Sequence, residues 1–190
     1  MVRDLVLKNR SYRRFDSSVK IQSQNIENWI DLARLSASGR NMQPLKYFIS
    51  NNAELNNEIF SHLAWAGYLT DWKGPEENER PVAYIVVLHD KSLANNYFCD
   101  DGLAMQNILL GAVEDGFGGC IIGSVNKPKV AKLLELPEHL EILWIIALGK
   151  PAETVEVEKI KDTDIKYWRD EYSVHHVPKR SLEEIIYKVF

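Results

Sequence analysis

Apolar residues recur along this chain at the two spacings that are typical of helices and of strands. Ile26, Trp29, Ile30 and Ala33, for example, share one helical face. The first predicted elements are helices at about 24–35 and 55–63, separated by a strand at 47–50, and then a strand at 82–89 and a helix at about 101–115. A short strand after Gly116, a helix that begins at Asn126 and Pro128, a strand at 142–148 and a short helix from Leu182 follow. This order predicts an α+β domain or a mixed three-layer α/β/α domain.

Three segments lack such a period. Residues 67–81 are rich in Gly, Pro and charge and are predicted to form a long loop. Residues 154–180 are charged and irregular and are predicted to form an extended arm. The joint, which we define as 36-SASGRNMQPL-45, separates the first helix from its strand by more residues than a plain connection needs. The joint is therefore either an incidental loop or a segment that contacts a ligand or a partner.

Two of the predicted elements are apolar on all sides. The strand at 82–89 is an almost unbroken apolar run, which indicates burial on both faces of a sheet. The helix at 101–115 has no polar face, so it is predicted to be central or to meet a partner subunit. Asp100 and Asp101, directly before it, are predicted to supply an N-cap and a favourable negative charge at the helix start.

Composition narrows the class of protein. The chain has 190 residues, of which 45% are hydrophobic, so a single domain over 1–190 with a substantial core is expected. A net charge of −4 argues against general nucleic-acid binding. The first ten residues carry charges where a signal peptide would be apolar, and the longest apolar runs have seven residues, too few to cross a membrane. We therefore expect a cytoplasmic protein without a nucleic-acid or membrane partner.

Basic residues cluster near both ends of the chain. The segment 10-RSYRRF-15 places Arg10, Arg13 and Arg14 around Ser11, and Lys179-Arg180 lies near the other end. Guanidinium groups and a hydroxyl can bind a phosphate through charge-assisted hydrogen bonds. A solvated basic turn would show the same pattern, and only the fold decides whether the two clusters meet.

A glycine run, 116-GFGGCIIG-123, matches neither the dinucleotide-binding fingerprint nor a P-loop. It is either a backbone that a flat ligand approaches closely or a tight turn from helix to strand. His175 and His176 are adjacent and do not share a face, so no metal site is expected. The two cysteines, Cys99 and Cys120, form no disulfide framework or zinc spacing.

Taken in order, these motifs resemble those of the nitroreductase family of FMN-dependent oxidoreductases. The matching features run from about Lys8 to Leu182: the basic R-S-x-R-x-F, the S-x-x-N-x-Q-P of the joint, the apolar helix, G-x-G-G-C-x-I-G, G-x-P-A-E and the late basic pair. The resemblance implies an α+β fold, a three-layer α/β/α sandwich with a central mixed, mainly antiparallel sheet and an extended C-terminal arm. It also implies a homodimer with FMN at the subunit interface.

The resemblance also implies which residues bind the cofactor. In the family, the joint reaches across the dimer and lines the flavin of the partner subunit. The implied FMN contacts are Ser38, Gly39 and Asn41 across the interface, with Gln43 holding the joint; Arg10 and Ser11 at the phosphate and ribityl end; Arg13 at the pyrimidine edge; the backbone of Ile121, Ile122 and Gly123 near N5; and Lys179 and Arg180 at the phosphate. The aromatic residues Trp65, Tyr68 and Trp72 are predicted to form the wall of the substrate site.

The implied activity is reduction of nitroaromatic compounds, quinones or similar electron-poor acceptors by NADH or NADPH, in a ping-pong mechanism without a catalytic acid or base from the protein. Two alternatives stay open: another flavin reaction, such as reductive dehalogenation or flavin cleavage, and a non-catalytic FMN-binding or flavin-carrier protein. The chain departs from the family at Asn9, where a basic residue is common, and at Ala37 and Leu45, where Pro and Trp are common. The first departure is expected to weaken phosphate binding unless Lys179 and Arg180 compensate, and Leu45 in place of Trp is expected to change packing more than chemistry.

Overall fold

The two most apolar strands form the centre of the main sheet in a computed structural model that describes residues 1–190. All eight residues of β3 (Ala83–Asp90) are buried, and β3 pairs antiparallel with β5 (Leu140–Pro151), with Ile85 opposite Ile146. Val and Ile at successive positions fill both faces of such a strand, which requires a layer of helices on each side. The burial predicted for 82–89 is confirmed.

Three shorter strands complete this sheet. The order is β1–β5–β3–β2, where β1 is Phe15–Asp16 and β2 is Leu45–Ser50, and β4 (Gly118–Ile122) also pairs with β5. Strands β1 and β4 share one edge of β5, since β1 pairs with Lys150 and Pro151 and β4 with residues 145–149. Every pairing in this sheet is antiparallel. The N-terminal basic segment is thereby brought beside the glycine run.

Helices cover both faces of the sheet, as the three-layer prediction requires. On one face, α2 (Ser23–Arg34) packs against α4 (Asp100–Glu114), and Trp29 and Ile108 join the core cluster that contains Ile146. On the other face, α3 (Ala53–Phe60) and α5 (Lys127–Leu133) contribute Ile59 and Val130. The Asn126 side chain caps α5 by accepting from the Lys129 N–H, as predicted. No helix is long and apolar enough to cross a membrane.

The C-terminal region differs from its prediction. Residues 154–180 are not an irregular arm, because they contain a second sheet of three strands: β6 (Val155–Lys159), β7 (Trp168–Arg169) and β8 (His175–Lys179). Strand β8 is central, parallel to β6 and antiparallel to β7. These strands alternate Glu and Lys with a few apolar residues, so hydrophobic periodicity does not reveal them. A short helix, α6 (Leu182–Ile185), follows where Leu182 predicted it.

A second difference lies at the N-terminus, where α1 (Val2–Lys8) precedes the basic segment. Val2, Leu5 and Val6 recur there at helical spacing, but no residue of α1 is buried, and no helix is predicted for this segment from the sequence. The joint, in contrast, has only one short turn of 3₁₀-helix, at Gly39–Asn41, before β2 begins at its last residue, Leu45. The long loop at 67–81 is likewise as predicted, apart from a 3₁₀ turn at Glu77–Glu79.

Candidate functional site

The basic segment between α1 and β1 lies directly on the glycine run. Ser11 forms a parallel bridge with Gly119, and the Tyr12 N–H donates to the Gly119 carbonyl over 3.1 Å. This backbone pairing therefore fixes the positions of Arg10 and Arg13 along β4. Two motifs that are more than 100 residues apart in sequence thus form one surface.

A buried carboxylate anchors the same segment from the opposite side. Glu153, whose side chain is 1% exposed, accepts hydrogen bonds from the backbone N–H groups of Arg13 and Arg14 and from the Arg169 guanidinium. The Arg169 bond is 2.8 Å long. Glu153 ends the G-x-P-A-E motif, but the sequence alone assigned it no role. Its position just after β5, which pairs with β1, is what brings it to the basic segment.

The basic segment and β8 enclose a cavity of about 310 Å³, which we call the anion cavity. Its lining residues are Asn9, Arg10, Ser11, Arg13, Val155, Tyr167, His175, Val177 and Lys179. The two ends of the chain therefore meet, as an anion site requires. The Arg10 Nε atom is buried without a hydrogen-bond partner in the chain, although Nη2 donates to the Val6 carbonyl over 2.7 Å. An unpaired buried donor of this kind favours an acceptor from a ligand.

Arg180 lies apart from this cavity. Its guanidinium is half-exposed and is 3.4 Å from the Glu184 carboxylate, one helical turn away. Of the two late basic residues predicted to bind phosphate, the structure thus places Lys179 on the cavity wall and Arg180 between β8 and α6, directly before the N-cap Ser181.

A second cavity of about 160 Å³, which we call the ring cavity, lies beyond Arg13. Its lining residues are Arg13, Ala64, Trp65, Ala66, Gly67, Cys120, Ile121, Ile122, Gly123, Ser124 and Tyr167. Arg13 and Tyr167 line both cavities, so the cavities adjoin. The Arg13 Cζ atom lies 4.8 Å from the centroid of the Tyr167 ring, a cation–π distance. Burial raises the pKa of the Cys120 thiol, so this wall carries no thiolate at neutral pH.

The glycines of the run are required by packing within the chain. A Cβ atom at Gly119 would lie 2.5 Å from the Ala147 carbonyl oxygen, and one at Gly123 would lie 2.6 Å from the Trp144 ring. Both distances are too short for any larger residue. Close packing therefore accounts for Gly119 and Gly123 without a ligand, whereas Gly116, with a φ of 78°, lies in the turn from α4 to β4.

The three aromatic residues predicted for the substrate wall have different surroundings. Trp65 lines the ring cavity, and Tyr68 packs against Tyr167 with ring centroids 4.9 Å apart. Neither Tyr68 nor Trp72 lines the anion or ring cavity itself. Trp72 lies between two guanidiniums, 4.2 Å from Arg169 and 5.9 Å from Arg14. Its contacts are those of a residue that packs the arginines around Glu153, so the structure does not favour its predicted role as a substrate wall.

The joint forms a separate site within the single chain. Ser38 and Gln43 line a cavity of about 170 Å³ near Asp100, and none of Ser38, Gly39, Asn41 or Gln43 lines the anion or ring cavity. Asp100 holds the joint by accepting from the Ser38 hydroxyl at 2.6 Å and from the Gly39 N–H at 2.8 Å. A Cβ atom at Gly39 would lie 2.3 Å from the Phe98 ring.

The predicted N-cap role of the two aspartates is wrong. Cys99 occupies the N-cap of α4, and Asp100 and Asp101 are its first two helical residues. The Asp100 carboxylate is committed to the joint, and the Asp101 carboxylate accepts from the Trp144 indole at 2.7 Å. Both negative charges still lie in the first turn, where the helix dipole favours them.

The two histidines of β8 have opposite environments. His175 is buried and its Nε2 atom lies 3.1 Å from Nη1 of Arg13; burial, and then the charge of Arg13, lower the pKa of His175 to about 4. His176 faces the Glu158 carboxylate at 2.6 Å and the Asp170 carboxylate at 3.3 Å. Desolvation lowers the pKa of His176, but hydrogen bonds to Asp170 and Glu158 outweigh it and raise the pKa overall. His175 therefore lines the anion cavity, whereas His176 forms hydrogen bonds with Glu158 and Asp170 within and beside the three-stranded sheet.

Comparison with known proteins shows which proteins this chain is similar to in sequence and fold. The profile of the nitroreductase family matches residues 79–150. An oxygen-insensitive NADPH nitroreductase of Helicobacter pylori is 26% identical, over 87% of this chain and 95% of its own length. Among solved structures, a nitroreductase family protein of Streptococcus pneumoniae superposes with a TM-score of 0.70 at 19% identity over 100% of both chains. An FMN-dependent nitroreductase of Clostridium difficile gives a TM-score of 0.65 at 20% identity, over 86% and 94% of the two chains.

Proposed function

We propose that this chain, which is similar to nitroreductase family proteins in sequence and fold, is an FMN-dependent oxidoreductase that uses NADH or NADPH to reduce electron-poor acceptors such as nitroaromatic compounds and quinones. The observation that carries this proposal is the adjoining pair of cavities, one cationic and one lined mostly by hydrophobic residues and their backbone, which meet at Arg13 and Tyr167. A ligand with an anionic tail and a flat ring matches such a pair.

The residues of the anion cavity fit the phosphate end of FMN. Arg10, Arg13 and Lys179 supply positive charge, and Ser11 supplies a hydroxyl. The buried, unpaired Nε atom of Arg10 offers a donor that has no other partner. Guanidinium groups suit a phosphate because several of their N–H groups donate in one plane. We assign Arg10, Ser11 and Lys179 to the phosphate and ribityl end, with Arg180 in a lesser role because Glu184 competes for it.

The residues of the ring cavity fit a flat, largely apolar group. Trp65 and Ile122 are buried against it, and the backbone of Ile121 to Gly123 forms one edge. When bound, FMN would supply the redox chemistry, in which hydride equivalents pass from the nicotinamide to the acceptor in a ping-pong sequence. Arg13 would lie at the junction, where its fixed positive charge stabilises negative charge that develops on the ligand. The acceptor would meet the same ring face on the side of Trp65 and Tyr68.

A second subunit is part of the proposal. The joint does not line the anion or ring cavity of its own chain, yet the Asp100 hydrogen bonds hold it in a defined conformation. In a homodimer, Ser38, Gly39, Asn41 and Gln43 of one subunit would reach the cavities of the other. The partly exposed apolar surface of α4, including Leu103 at 43% exposure, supports a partner on that side. We place such a protein in the cytoplasm, where NADH and NADPH are available.

The first experiment is the visible absorption spectrum of the purified protein, followed by heat release and identification of any chromophore. We expect FMN at about one per chain, and steady-state oxidation of NADH or NADPH that requires an added nitroaromatic compound or quinone, with parallel double-reciprocal lines. A colourless protein that also fails to bind added FMN would overturn the cofactor assignment. Bound FMN without nicotinamide oxidation would instead identify a flavin carrier.

The charge assignment is tested with a matched pair of variants. Arg13→Ala removes the guanidinium shared by the two cavities, whereas Arg3→Ala removes an exposed guanidinium from α1. We expect Arg13→Ala to weaken FMN binding and to slow flavin reduction, and Arg3→Ala to leave both unchanged. Equal behaviour of the two variants would show that Arg13 does not act on the cofactor.

A further inference from the structure

Arg13 is the only charged side chain that lines both cavities, and three contacts determine where its guanidinium lies. Nη1 is 3.2 Å from the Ser11 carbonyl oxygen and 3.1 Å from the Nε2 atom of His175. The face of the guanidinium covers the Tyr167 ring. Both hydrogens of Nη1 are thereby used, while Nε and Nη2 make no hydrogen bond within the chain. Because only Nη1 is held by the chain, the N–H groups of Nε and Nη2 can donate to a ligand.

The contact with Arg13 determines the protonation of His175. An arginine is always charged and can only donate, so Nε2 of His175 must be the acceptor. The imidazole is then neutral and carries its proton on Nδ1. This agrees with the lowered pKa of the ring, which burial and the adjacent Arg13 bring to about 4. Nδ1 is buried and has no partner in the chain, so no protein acceptor accounts for this tautomer, and only the Arg13 contact selects it.

Packing prevents His175 from turning away. The ring is fully buried, and its centroid lies 5.2 Å from that of Tyr167, which in turn packs against Tyr68. The backbone of His175 is paired on both sides, with Val155 of β6 and Arg169 of β7. The acceptor atom is therefore held at one place, which is what a residue that orients another side chain requires.

We propose that His175 is a positioning residue for Arg13: a neutral imidazole, protonated on Nδ1, whose Nε2 atom accepts from the guanidinium and holds it at the junction of the two cavities. The consequence for FMN binding rests on the function proposed above, but the tautomer and the contact do not. His176, one residue further on the same strand, faces Glu158 and Asp170 and has no such role.

The binding experiment uses three substitutions in the full-length protein, titrated with FMN after removal of any bound flavin. His175→Phe keeps a ring against Tyr167 and removes the acceptor, and we expect FMN to bind roughly tenfold more weakly, since a hydrogen bond to a charged group is lost. His175→Gln places an oxygen near the position of Nε2 and is expected to restore most of the affinity. His176→Gln is the matched control and is expected to bind like the unmodified protein.

A double-mutant cycle tests whether His175 acts through Arg13. In an Arg13→Ala background, His175→Phe is expected to cause no further loss of FMN affinity. Losses that simply add, a His175→Gln variant as weak as His175→Phe, or a His175→Phe variant with unchanged affinity would each overturn the proposal.

The tautomer is tested without any variant, by long-range ¹H–¹⁵N correlation spectra of uniformly labelled protein at pH 7. We expect the Nδ1-protonated form for His175, the tautomer that is less common in free histidine. A proton on Nε2, or a doubly protonated ring, would exclude acceptance from Arg13 and end the proposal. This measurement also decides the matter if His175→Phe does not fold. If the unmodified protein binds no FMN while the tautomer is as expected, the proposed function fails and the positioning contact stands.

Discussion

In the five-stranded sheet, every residue of β3 is buried, and β3 pairs with Ile145 and Ile146 of β5. In the three-stranded sheet, the two buried residues are His175 and His176. Apolar burial is the main force that holds the first sheet, and it involves no change of charge with pH. Charged hydrogen bonds and aromatic stacking hold the second, including the Arg169–Glu153 pair and the Trp168 ring stacked 4.1 Å from His176. The two regions of one molecule are therefore expected to respond to different conditions, and the lining of the anion cavity comes partly from the more responsive one.

The largest effect is expected in the five-stranded sheet. Ile146 is fully buried between α4 and β3, and Ile146→Ala leaves a cavity, so we expect the free energy of unfolding to fall by about 2–5 kcal/mol. Urea unfolding followed by circular dichroism measures this, and the loss is expected to be the same at pH 5 and pH 8. Leu93→Ala, at an exposed position, is the control. A loss below about 0.5 kcal/mol would contradict the assignment of this sheet as the main source of stability.

A smaller effect is expected where the two sheets meet. Glu153→Gln removes the charge that pairs with Arg169 and weakens the acceptor for the Arg13 and Arg14 N–H groups. Since buried groups lose their partners, we expect a cost of about 1–3 kcal/mol. Hydrogen exchange is expected to quicken in 155–179 while β3 stays protected. Glu183→Gln, on the surface of α6, should have no effect, and uniform loss of protection in both sheets would show that Glu153 supports the whole fold.

Two adjacent histidines of β8 are expected to make the stability of the three-stranded sheet depend on pH. The pKa of His176 is raised on folding, so its contribution to stability is complete below its ordinary pKa of about 6.5 and is lost as pH rises through the raised value. The pKa of His175 is lowered to about 4, so its contribution is complete above about 6.5 and is lost as pH falls to 4. Urea midpoints between pH 4 and 8 should therefore show His176→Gln as most destabilising at the acid end. Relative to the unmodified protein, His175→Gln should gain stability as pH falls. If the unmodified protein and the two variants show parallel pH dependence, the pKa directions assigned to His175 and His176 are both refuted.

The smallest effect concerns stacking on the small sheet. Trp168 is 43% exposed and covers His176 with an interplanar angle of 12°. Trp168→Leu keeps an apolar side chain and removes the stacked ring, so we expect a loss of about 0.5–1.5 kcal/mol. Tyr172→Leu, at a position that is 80% exposed, is the matched control. The His176 ring proton shifts should change in the first variant only; unchanged shifts would mean that the stacking is absent in solution.

The sequence predicted best what hydrophobic burial determines. The strands β3 and β5 and the helices α2 and α4 were all predicted within a few residues, because apolar side chains must alternate or recur where a core exists. The capped start of α5 was predicted because Asn126 and Pro128 act locally. What failed was local structure without a buried apolar face, namely α1 and the strands of the small sheet, in which the only buried residues are His175 and His176.

The sequence predicted the basic residues of the candidate site, but it did not reveal the residues that hold them in place. Arg10, Ser11, Arg13 and Lys179 were found from charge and motif, and they do line one cavity. Glu153, Tyr167 and His175 act through contacts between distant parts of the chain, and spacing along the sequence carries no signal for such contacts. For Glu153 one signal was present in the sequence. Its carboxylate closes the G-x-P-A-E motif at the end of a long buried strand, β5, and the same end of β5 pairs with β1, which directly follows the basic segment.

The joint has a conformation that few residues adopt unaided, since Arg40, Asn41 and Gln43 all have positive φ. Left-handed backbone at three residues other than glycine persists only when its surroundings impose it, and here the Asp100 carboxylate does so from within the same chain. A flexible joint would lose conformational entropy on docking against a partner or a ligand. This one is already ordered, so less of the interaction energy is needed to organise it, and complexes that it forms should be tighter and faster to form than its length suggests.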